Sequence, residues 1–377
     1  MTDRAFLAEQ LRTWAVEEGF TRAGVASLVP SAHGEVFRRW LARGDHADMQ
    51  WMERRIELRE DPRRLVPGAQ SALVVALQYF PLEGGDEPSG DLWPKVARYA
   101  RGRDYHDIMS KQLKRLARRI EAAYPGTVTR PYVDTGPVLE RELAARAGIG
   151  SFGKNTNLLE RRWGSYFLLG ELFLSLDLEP DAPLDDPCGR CTRCLDACPT
   201  GALPEPYRLD ARRCIAYWTI EHRGDLPTEV RPWLGEWVFG CDICQEVCPH
   251  NHKVLPGTEP RLRLPPERAE LDLEALLGLE VEEFRRRFIK SPMKRTKLEG
   301  LKRNAAVVMG NRGDTAYVPA LGRALDDASP VVRKHAAWAL GRIGGAAAID
   351  RLIAAHRVEI DDAVRSEIDD ALEGLGG

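Results

Sequence analysis

The sequence predicts an α+β core followed by a cysteine-rich module and a tail of α-helical repeats. Three observations lead to this fold class. Segments typical of strands and helices alternate through residues 1–180, all eight cysteines lie within residues 188–248, and a motif recurs every 31–32 residues in the tail. A chain of 377 residues is also long for a single hydrophobic core, so we expect several domains.

The elements of the core are predicted from the spacing of its apolar residues. The opening segment has apolar residues at helical spacing and is predicted to be an amphipathic helix. SALVVALQYF (71–80) is an almost unbroken apolar run, which is typical of a buried strand. Residues 128–133 and 166–178 are the other predicted strands, and 108–124 form an amphipathic helix. This interleaving favours a layered, α/β-like arrangement.

The cysteines that follow have the spacing of a bacterial ferredoxin. A C-x2-C-x2-C-x3-C-P run begins at Cys188, and a second run from Cys241 repeats the last two spacings. Val238 stands where the second run would have its first cysteine, so we predict that Cys214, the cysteine left over, supplies the missing ligand. The predicted ligands are Cys188, Cys191, Cys194 and Cys248 for one [4Fe-4S] cluster, and Cys198, Cys214, Cys241 and Cys244 for the other.

Other uses of these cysteines explain the pattern less well. A disulfide framework is disfavoured, since cysteines two residues apart suit metal binding. Structural zinc sites use C-x2-C pairs and have no need for a third cysteine at the same step. Buried, unligated thiols would explain neither the spacing nor the count.

The tail repeats KRNAAVVMGN (302–311) as RKHAAWALGRIG (333–344) and RSEIDDALEGLG (365–376). Such paired-helix units bury their apolar faces by stacking, so we predict a short HEAT-like solenoid. Residues 285–303 carry nine Lys or Arg against one Glu, which predicts binding to a phosphate backbone. A merely solvated charged face is the alternative. The predicted phosphate contacts are Lys294, Arg295, Lys297, Lys302 and Arg303.

Composition describes an ordinary globular protein, with 44% hydrophobic and 29% charged residues and a formal net charge of −3. A charged leader followed by an apolar core is not found at the start, and no apolar run approaches the length of a membrane span. We therefore expect a cytoplasmic protein whose thiols stay reduced and available to iron.

The chemistry is expected in the N-terminal half, because an electron-transfer module needs no 180 residues in front of it. Asp134 follows a predicted strand, a common place for catalytic groups, and the glycines of GIGSFG (148–153) could let the backbone approach a large ligand. These glycines match neither a Rossmann fingerprint nor a phosphate loop. Tyr105 and His106 precede a helix. From the residues alone, Asp134 is equally a turn residue and His106 equally a half-buried imidazole.

The chain contains several long motifs, which are YVDTGPVLERELAARAGIGSFGKNTNLL (132–159), GSYFLLGEL (164–172), CGRCTRCLDACPTGAL (188–203), DARRCIAY (210–217) and FGCDICQEVCP (239–249). These motifs resemble the epoxyqueuosine reductase family, and the resemblance covers essentially the whole chain. Ser151 departs from it, since family members often carry an aromatic residue there.

The resemblance implies a cobalamin-dependent oxidoreductase that converts epoxyqueuosine to queuosine at the wobble position of tRNA, with two [4Fe-4S] clusters. A D-x-H-x-x-G cobalamin motif is incomplete because Met109 replaces its glycine, which fits a family without a histidine on cobalt. Asp134 is the implied proton donor, kept neutral by a pKa that burial against the corrin raises. The implied cofactor contacts are Arg59, Asp134, Leu158 and Leu169, with Tyr105 and His106 as weaker candidates for relay or positioning.

The expected domain organisation follows from these motifs. The predicted domains are a cobalamin-binding catalytic domain (1–180), a ferredoxin-like module (181–255), a basic linker (256–300) and a HEAT-like tRNA-binding domain (301–377).

The expected partners are tRNA carrying epoxyqueuosine and an external electron donor, with no membrane, and the protein is expected to be a monomer. The alternatives are an iron–sulfur electron carrier, a zinc-containing nucleic-acid adaptor and a corrinoid reductase with another substrate.

Overall fold

The structure is a computed structural model that describes residues 3–80, 95–265, 268 and 272–376. Two compact units make up the chain, and each is assembled from separated segments. The first consists of Met1–Asp86, Arg103–Arg213 and Asp242–Arg263, and the second of Glu87–Gly102, Cys214–Cys241 and Leu264–Gly377. The four predicted domains stay a prediction, and the basic linker (256–300) lies partly outside the described residues.

The predicted strands and the helix at 108–124 are confirmed to within a few residues at each end. The strands are β1 (Arg22–Ser27), β2 (Ser71–Gln78), β3 (Lys95–Val96), β4 (Thr129–Tyr132), β5 (Ser151–Phe152), β6 (Leu158–Leu159), β7 (Phe167–Leu174) and β8 (Trp237–Phe239). The α-helices are α1 (Asp3–Glu17), α2 (Gly34–Ala42), α3 (Ile56–Glu60), α4 (Arg98–Arg101), α5 (Tyr105–Ala123), α6 (Glu140–Arg146), α7 (Arg193–Asp196), α8 (Ile215–Ile220), α9 (Ile243–Glu246), α10 (Leu273–Leu277), α11 (Val281–Arg287), α12 (Lys297–Arg312), α13 (Val318–Ala324), α14 (Pro330–Ile343), α15 (Ala346–His356) and α16 (Asp362–Gly376).

An antiparallel sheet with the strand order β1-β2-β7-β4 forms the centre of the first unit. Side chains alternate between its two faces. Leu73 and Val75 of β2 pack with α1 and α5, whereas Ala72 and Val74 pack with α6. Because both faces are covered, β2 is buried along its whole length. Burial on both faces explains why the sequence of β2 is an unbroken apolar run.

The second unit is built on the repeats, which form α12, α14 and α16 and pack side by side with α13 and α15. Glycines at equivalent positions allow the close approach. A Cβ added to Gly310 would lie 2.7 Å from the ring of Trp338, and one added to Gly341 would lie 2.7 Å from the Cβ of Ala371. Helix-to-helix contact therefore requires glycine at both positions.

An ion pair is buried in the second unit. Arg231 is 2% exposed and donates to the two carboxylate oxygens of Glu367 at 2.6 and 2.9 Å. It also donates to the carbonyl of Leu226 at 2.9 Å, and its guanidinium lies 5.5 Å from the ring centre of Trp338. The charge is thus fully paired inside the core.

Among the described helices, none combines the length and the apolar character that a membrane span needs.

Candidate active site

Asp134 lies in a tight turn directly after β4 and Val133. Its φ of 57° is in the left-handed region, which is uncommon for a residue other than glycine. Its backbone N–H donates to a carboxyl oxygen of Glu140, the first residue of α6. The N–H of Thr135 donates to the carbonyl of Val133 at 2.6 Å. Asp134 thus lies in the turn that follows the predicted strand, and the turn presents its carboxylate to His106.

His106 lies between two carboxylates. Its Nδ1 is 2.7 Å from Oδ1 of Asp104, and its Nε2 is 3.1 Å from Oδ2 of Asp134. Asp104 also caps α5 by accepting the backbone N–H of His106 at 3.0 Å. The ring of Tyr105 stacks on the imidazole with the ring centres 4.1 Å apart. The imidazole is therefore fixed with an acceptor at each nitrogen, an arrangement that suits the protonated form.

The hydrogen bonds of this group favour a proton on His106 over one on Asp134. Desolvation opposes the charged imidazole, but hydrogen bonds to Asp104 and Asp134 outweigh it and raise the pKa of His106 to about 9. Desolvation also favours a neutral Asp134, yet the hydrogen bond and charge of His106, followed by Tyr105 and Arg141, lower the pKa of Asp134. In the protein chain alone, the hydrogen bond to His106 therefore lowers the pKa of Asp134, and the raised pKa expected when a corrin covers Asp134 stays a prediction.

Two further carboxyl groups lie behind Asp134, and sequence reasoning missed both. Glu171 of β7 is 0% exposed, and neither of its carboxyl oxygens has a donor among the described residues. Desolvation, followed by the charge of Asp134, raises the pKa of Glu140 to about 8. Desolvation and the adjoining Glu140 raise the pKa of Glu171 far above its usual range. A lone acidic residue inside the apolar strand YFLLGELFL was the signal that could have found Glu171.

The implied cofactor contacts lie in the same unit and fit a corrin ring. Arg59 is 8% exposed, and its Nε has no hydrogen-bond partner among the described residues. Such a donor needs an acceptor, which the amide side chains of a corrin supply. Leu158 is buried and Leu169 partly buried in the apolar cluster on the α6 side of the sheet, where they provide an apolar wall. Their contacts with cobalamin stay a prediction.

Four cysteines line one cavity of about 320 Å³, a volume that includes its solvent-open part. They are the four that the ferredoxin spacing assigns to a single cluster, and the donor set fits a [4Fe-4S] cube. All eight cysteines lie in the described chain, and none of them is in a disulfide bond. The four lining cysteines are Cys188, Cys191, Cys194 and Cys248.

Family models match three parts of the chain. Residues 59–135 match the model described as epoxyqueuosine reductase QueG, DUF1730, residues 187–251 match a 4Fe-4S double cluster binding domain, and residues 295–373 match HEAT repeats. The chain is 42% identical over 346 residues to the epoxyqueuosine reductase of Xanthomonas campestris, covering 89% of this chain and 96% of that protein. It is 43% identical over 353 residues to that of Pseudomonas aeruginosa, covering 91% and 96%.

The chain belongs to the epoxyqueuosine reductase family. A crystal structure of epoxyqueuosine reductase with an epoxyqueuosine-modified tRNA-Tyr stem loop superposes with a TM-score of 0.92, 33% identity and 99% coverage of both chains. The Bacillus subtilis epoxyqueuosine reductase, with its catalytic loop swung out of the active site, has a TM-score of 0.90 and 32% identity, covering 98% of this chain and 99% of that one. The predicted iron–sulfur module and HEAT-like tail of this family are confirmed.

The family motif GKNTNLL forms the turn of the β5–β6 hairpin, which reaches the cysteine-lined cavity. The backbone N–H of Lys154 donates to Sγ of Cys188 at 3.4 Å. Its ammonium donates to the carbonyls of Gly189 at 2.7 Å and Cys191 at 3.0 Å. Hydrogen bonds to cluster sulfurs are one of the factors that set the reduction potential. Sequence reasoning did not assign this role to Lys154.

The packing of the hairpin itself requires two of the glycines beside this turn. A Cβ added to Gly150 would lie 2.9 Å from the carbonyl oxygen of Leu159, and one added to Gly153 would lie 2.6 Å from the Leu159 side chain. The approach of this backbone to a large ligand stays a prediction. Ser151, the departure from the family pattern, donates to the carbonyls of Leu184 at 2.7 Å and Asp185 at 2.9 Å.

The ligand set of the second cluster stays a prediction. Sγ of Cys198 accepts the N–H of Ala202 at 3.3 Å, and Cys214 lies directly before α8. Val238, which stands in place of a cysteine, is 0% exposed in β8 and belongs to the core of the second unit. A buried apolar residue at that position is consistent with a ligand drawn from elsewhere in the chain.

The structure contradicts the prediction of phosphate contacts for Lys302 and Arg303. Arg303 is 1% exposed and donates to the carbonyls of Trp218 at 2.8 Å and Gly224 at 2.6 Å. Lys302 is 8% exposed and forms an ion pair with Asp327 at 2.8 Å. The predictions for these two residues are wrong because both side chains are used inside the second unit.

The other three basic residues are exposed. Arg295 forms an ion pair with Glu221 at 2.7 Å, which leaves its charge partly compensated. Lys294 and Lys297 are exposed near the start of α12, and no ion pair within 4.0 Å is found for either among the described residues. Phosphate contacts of these three residues stay a prediction, and the two lysines are the stronger candidates because their charge is uncompensated within the described part of the chain.

Proposed function

We propose that this protein reduces epoxyqueuosine to queuosine at the wobble position of tRNA, using cobalamin and two [4Fe-4S] clusters. Removing an epoxide oxygen as water consumes two electrons and two protons. The observation that carries the assignment within the site is the hydrogen bond between Nε2 of His106 and Oδ2 of Asp134, at 3.1 Å. This hydrogen bond places an imidazole that can carry a proton next to the Asp134 carboxylate. The chain belongs to a family that acts on an epoxide, a reaction that needs such a proton.

The side chains divide the proton chemistry between them. Cobalamin, when bound, supplies low-valent cobalt that can reduce an epoxide. His106 holds the proton at neutral pH and passes it through Asp134 to the departing oxygen, so Asp134 acts as the general acid. Asp104, hydrogen-bonded to Nδ1, orients the imidazole and stabilises its charge. The Nε of Arg59 and the side chains of Leu158 and Leu169 would hold the cofactor.

The cysteines would hold the electron-transfer centres. Cys188, Cys191, Cys194 and Cys248 are the proposed ligands of one cluster, because they line one cavity. An external donor would provide single electrons to the clusters. We further propose that the protein acts as a monomer in the cytoplasm, where thiol ligands stay reduced.

Reconstitution with iron, sulfide and cobalamin tests the proposal. The loaded protein should contain about eight irons, as two four-iron clusters require, and it should also contain bound corrinoid. With a chemical reductant it should convert epoxyqueuosine in tRNA to queuosine, detected as the loss of one oxygen from the nucleoside. Loaded protein that leaves the nucleoside unchanged would refute the activity. Iron without corrinoid would favour an electron carrier instead.

A further inference from the structure

We propose that Glu140 and Glu171 form an acid pair that shares a proton and thereby holds Asp134 in its left-handed turn. The role given to Glu171 is positioning, since it acts through Glu140 and touches no reacting group. The inference rests on the proposed function for its effect on catalysis. Its effect on proton binding can be measured without any substrate.

The sheet places Glu171 opposite the start of α6. It lies on β7 between Val74 of β2 and Tyr132 of β4 in the strand register. Phe173, two residues further along β7, packs in the cluster that includes α6, so Glu171 points to the same face. Glu140 is the first residue of that helix. The register and the helix start therefore place both residues at the junction of the sheet and α6, where the Glu140 carboxyl is the hydrogen-bonding neighbour of Glu171.

This environment requires a proton. Glu171 is 0% exposed, and no donor of another described residue reaches its carboxyl oxygens. The polar group that adjoins it is the Glu140 carboxyl, which is an acceptor when ionised. A hydrogen bond between two carboxyl groups exists only if one of them is protonated. A buried carboxylate without a donor is strongly disfavoured, so protonation is the stable solution.

The charges around the pair do not remove this requirement. Glu140 adjoins Glu171, and the negative charges of Glu140 and Asp134 both raise the pKa of Glu171. Glu140 also has the cations Arg141, His106 and Arg59 in its surroundings, each of which favours its ionised form. Desolvation nevertheless outweighs them, and the pKa of both carboxyl groups is raised. The pair thus retains at least one proton at neutral pH.

The pair reaches Asp134 through the backbone. Glu140 accepts the Asp134 N–H, and this bond fixes a residue whose φ of 57° is unfavourable for a side chain with a Cβ. While the pair holds its proton, Glu140 can stay beside Glu171 and keep that bond. When the proton is lost, two facing carboxylates repel each other, and Glu140 loses the position from which it binds the turn.

Three variants separate the pair from ordinary packing. Glu171→Gln keeps the shape and donates an amide N–H to Glu140, but it has no proton to lose. Glu171→Leu removes the hydrogen bond altogether. Glu142→Gln is the matched control, since Glu142 lies on the same helix and is paired with Arg146 and Ser31. The hydrogen bond from His33 and Ser31 outweighs desolvation and lowers the pKa of Glu142 to about 2, so it is ionised.

Infrared spectroscopy of the unreacted protein gives the first test. At neutral pH the wild-type protein should show the C=O stretch of a protonated carboxyl group, which Glu171→Gln abolishes and Glu142→Gln retains. A wild-type spectrum without this band, or a band that survives in Glu171→Gln, would overturn the proposal. If Glu171→Gln does not fold, Glu140→Gln decides, because changing the hydrogen-bond partner should shift the band of Glu171. An unshifted band would then refute the pairing.

Turnover per bound corrinoid, followed against pH, gives the second test. Glu171→Gln should remain active at neutral pH and should lose part of the alkaline decline of the wild-type enzyme. Glu171→Leu should be slower by roughly 10–100-fold, as expected when a catalytic group is misplaced. Equal activity of the Leu variant and wild type would refute the positioning role. If no protein form reduces epoxyqueuosine, the infrared result still decides whether the pair exists.

Discussion

The proton-carrying groups around Asp134 are linked by short contacts, so a change in one alters the others. His106 bonds both Asp104 and Asp134, while the backbone of Asp134 bonds Glu140. In such a network the protonation state belongs to the group as a whole. A resting Asp134 that is ionised beside a protonated His106 still delivers a proton, provided that the imidazole replenishes it. Two substitutions test this at the level of single residues.

Asp134→Asn keeps the shape of the side chain but has no acidic proton to transfer. Turnover per bound corrinoid should fall by roughly 10²–10⁴-fold, which is the usual contribution of a positioned general acid. Corrinoid and iron content should be unchanged. If Asp134 is only a turn residue, the variant should instead lose solubility or cofactor, with turnover per corrinoid close to wild type.

His106→Gln should flatten the alkaline side of the stability profile. A pKa raised from 6.5 to about 9 means that the folded protein binds more protons than the unfolded chain in this range. The contribution of His106 to stability is therefore complete below pH 6.5 and declines as the pH rises through 9. The free energy of unfolding, measured by denaturant titration across this range, should decline less in the variant. Parallel profiles for the variant and the wild type would contradict the assignment.

At the level of elements, local sequence patterns and close backbone packing decide the structure. The glycines of α12 and α14 show this, since each lies where the next repeat helix comes nearest. Equivalent positions in these two repeat helices are therefore packed in the same way. The last repeat differs, because Glu373 occupies the equivalent position and the glycine after it, Gly374, has no atom within 4 Å of an added Cβ.

Gly310→Ala and Gly341→Ala should each destabilise the protein by about 1–3 kcal/mol, the usual cost of an overpacked core. Gly374→Ala is the control and should be neutral or stabilising by up to about 1 kcal/mol, because alanine favours a helix. Chemical denaturation measures all three. Equal stability of the three variants would show that the repeat helices move apart without cost.

Patterns of this local kind could be predicted, and features created by tertiary packing could not. The apolar run of β2 and the cysteine spacing follow from what one strand or one cluster requires of neighbouring residues. The burial of Arg303 depends on carbonyls about 80 residues away, at Trp218 and Gly224, so its sequence context indicated only positive charge. The low pKa of Asp134 likewise depends on His106, 28 residues earlier.

At the scale of the whole molecule, binding to tRNA depends more on where the charges lie than on the net charge. The formal net charge is −3, so attraction to an anionic tRNA has to come from a local positive surface. The structure reduces the number of residues that could form this surface, because Lys302 and Arg303 are buried and Arg295 is in an ion pair. Lys294 and Lys297 remain as exposed cations near the start of α12.

Replacing Lys294 and Lys297 by Gln should weaken tRNA binding and lower its dependence on salt. Two lost phosphate contacts reduce the slope of log affinity against log salt by about 1.4–1.8. Lys111 and Lys114, exposed on α5, form the matched control with the same change in net charge. Binding isotherms at several salt concentrations measure the slope. The same slope for both double variants would assign the basic segment to solvation.

The buried pair of Arg231 and Glu367 has a consequence for the order in which the protein is made. The two residues are 136 positions apart, so at about 5–20 residues per second the ribosome adds Glu367 roughly 7–27 s after Arg231. Throughout that interval the guanidinium has no carboxylate to accompany it into the core, and burying it alone is strongly unfavourable. The second unit therefore completes its core only after its last helix has been synthesised, and nascent chains that stall before Glu367 should be open to proteases and chaperones.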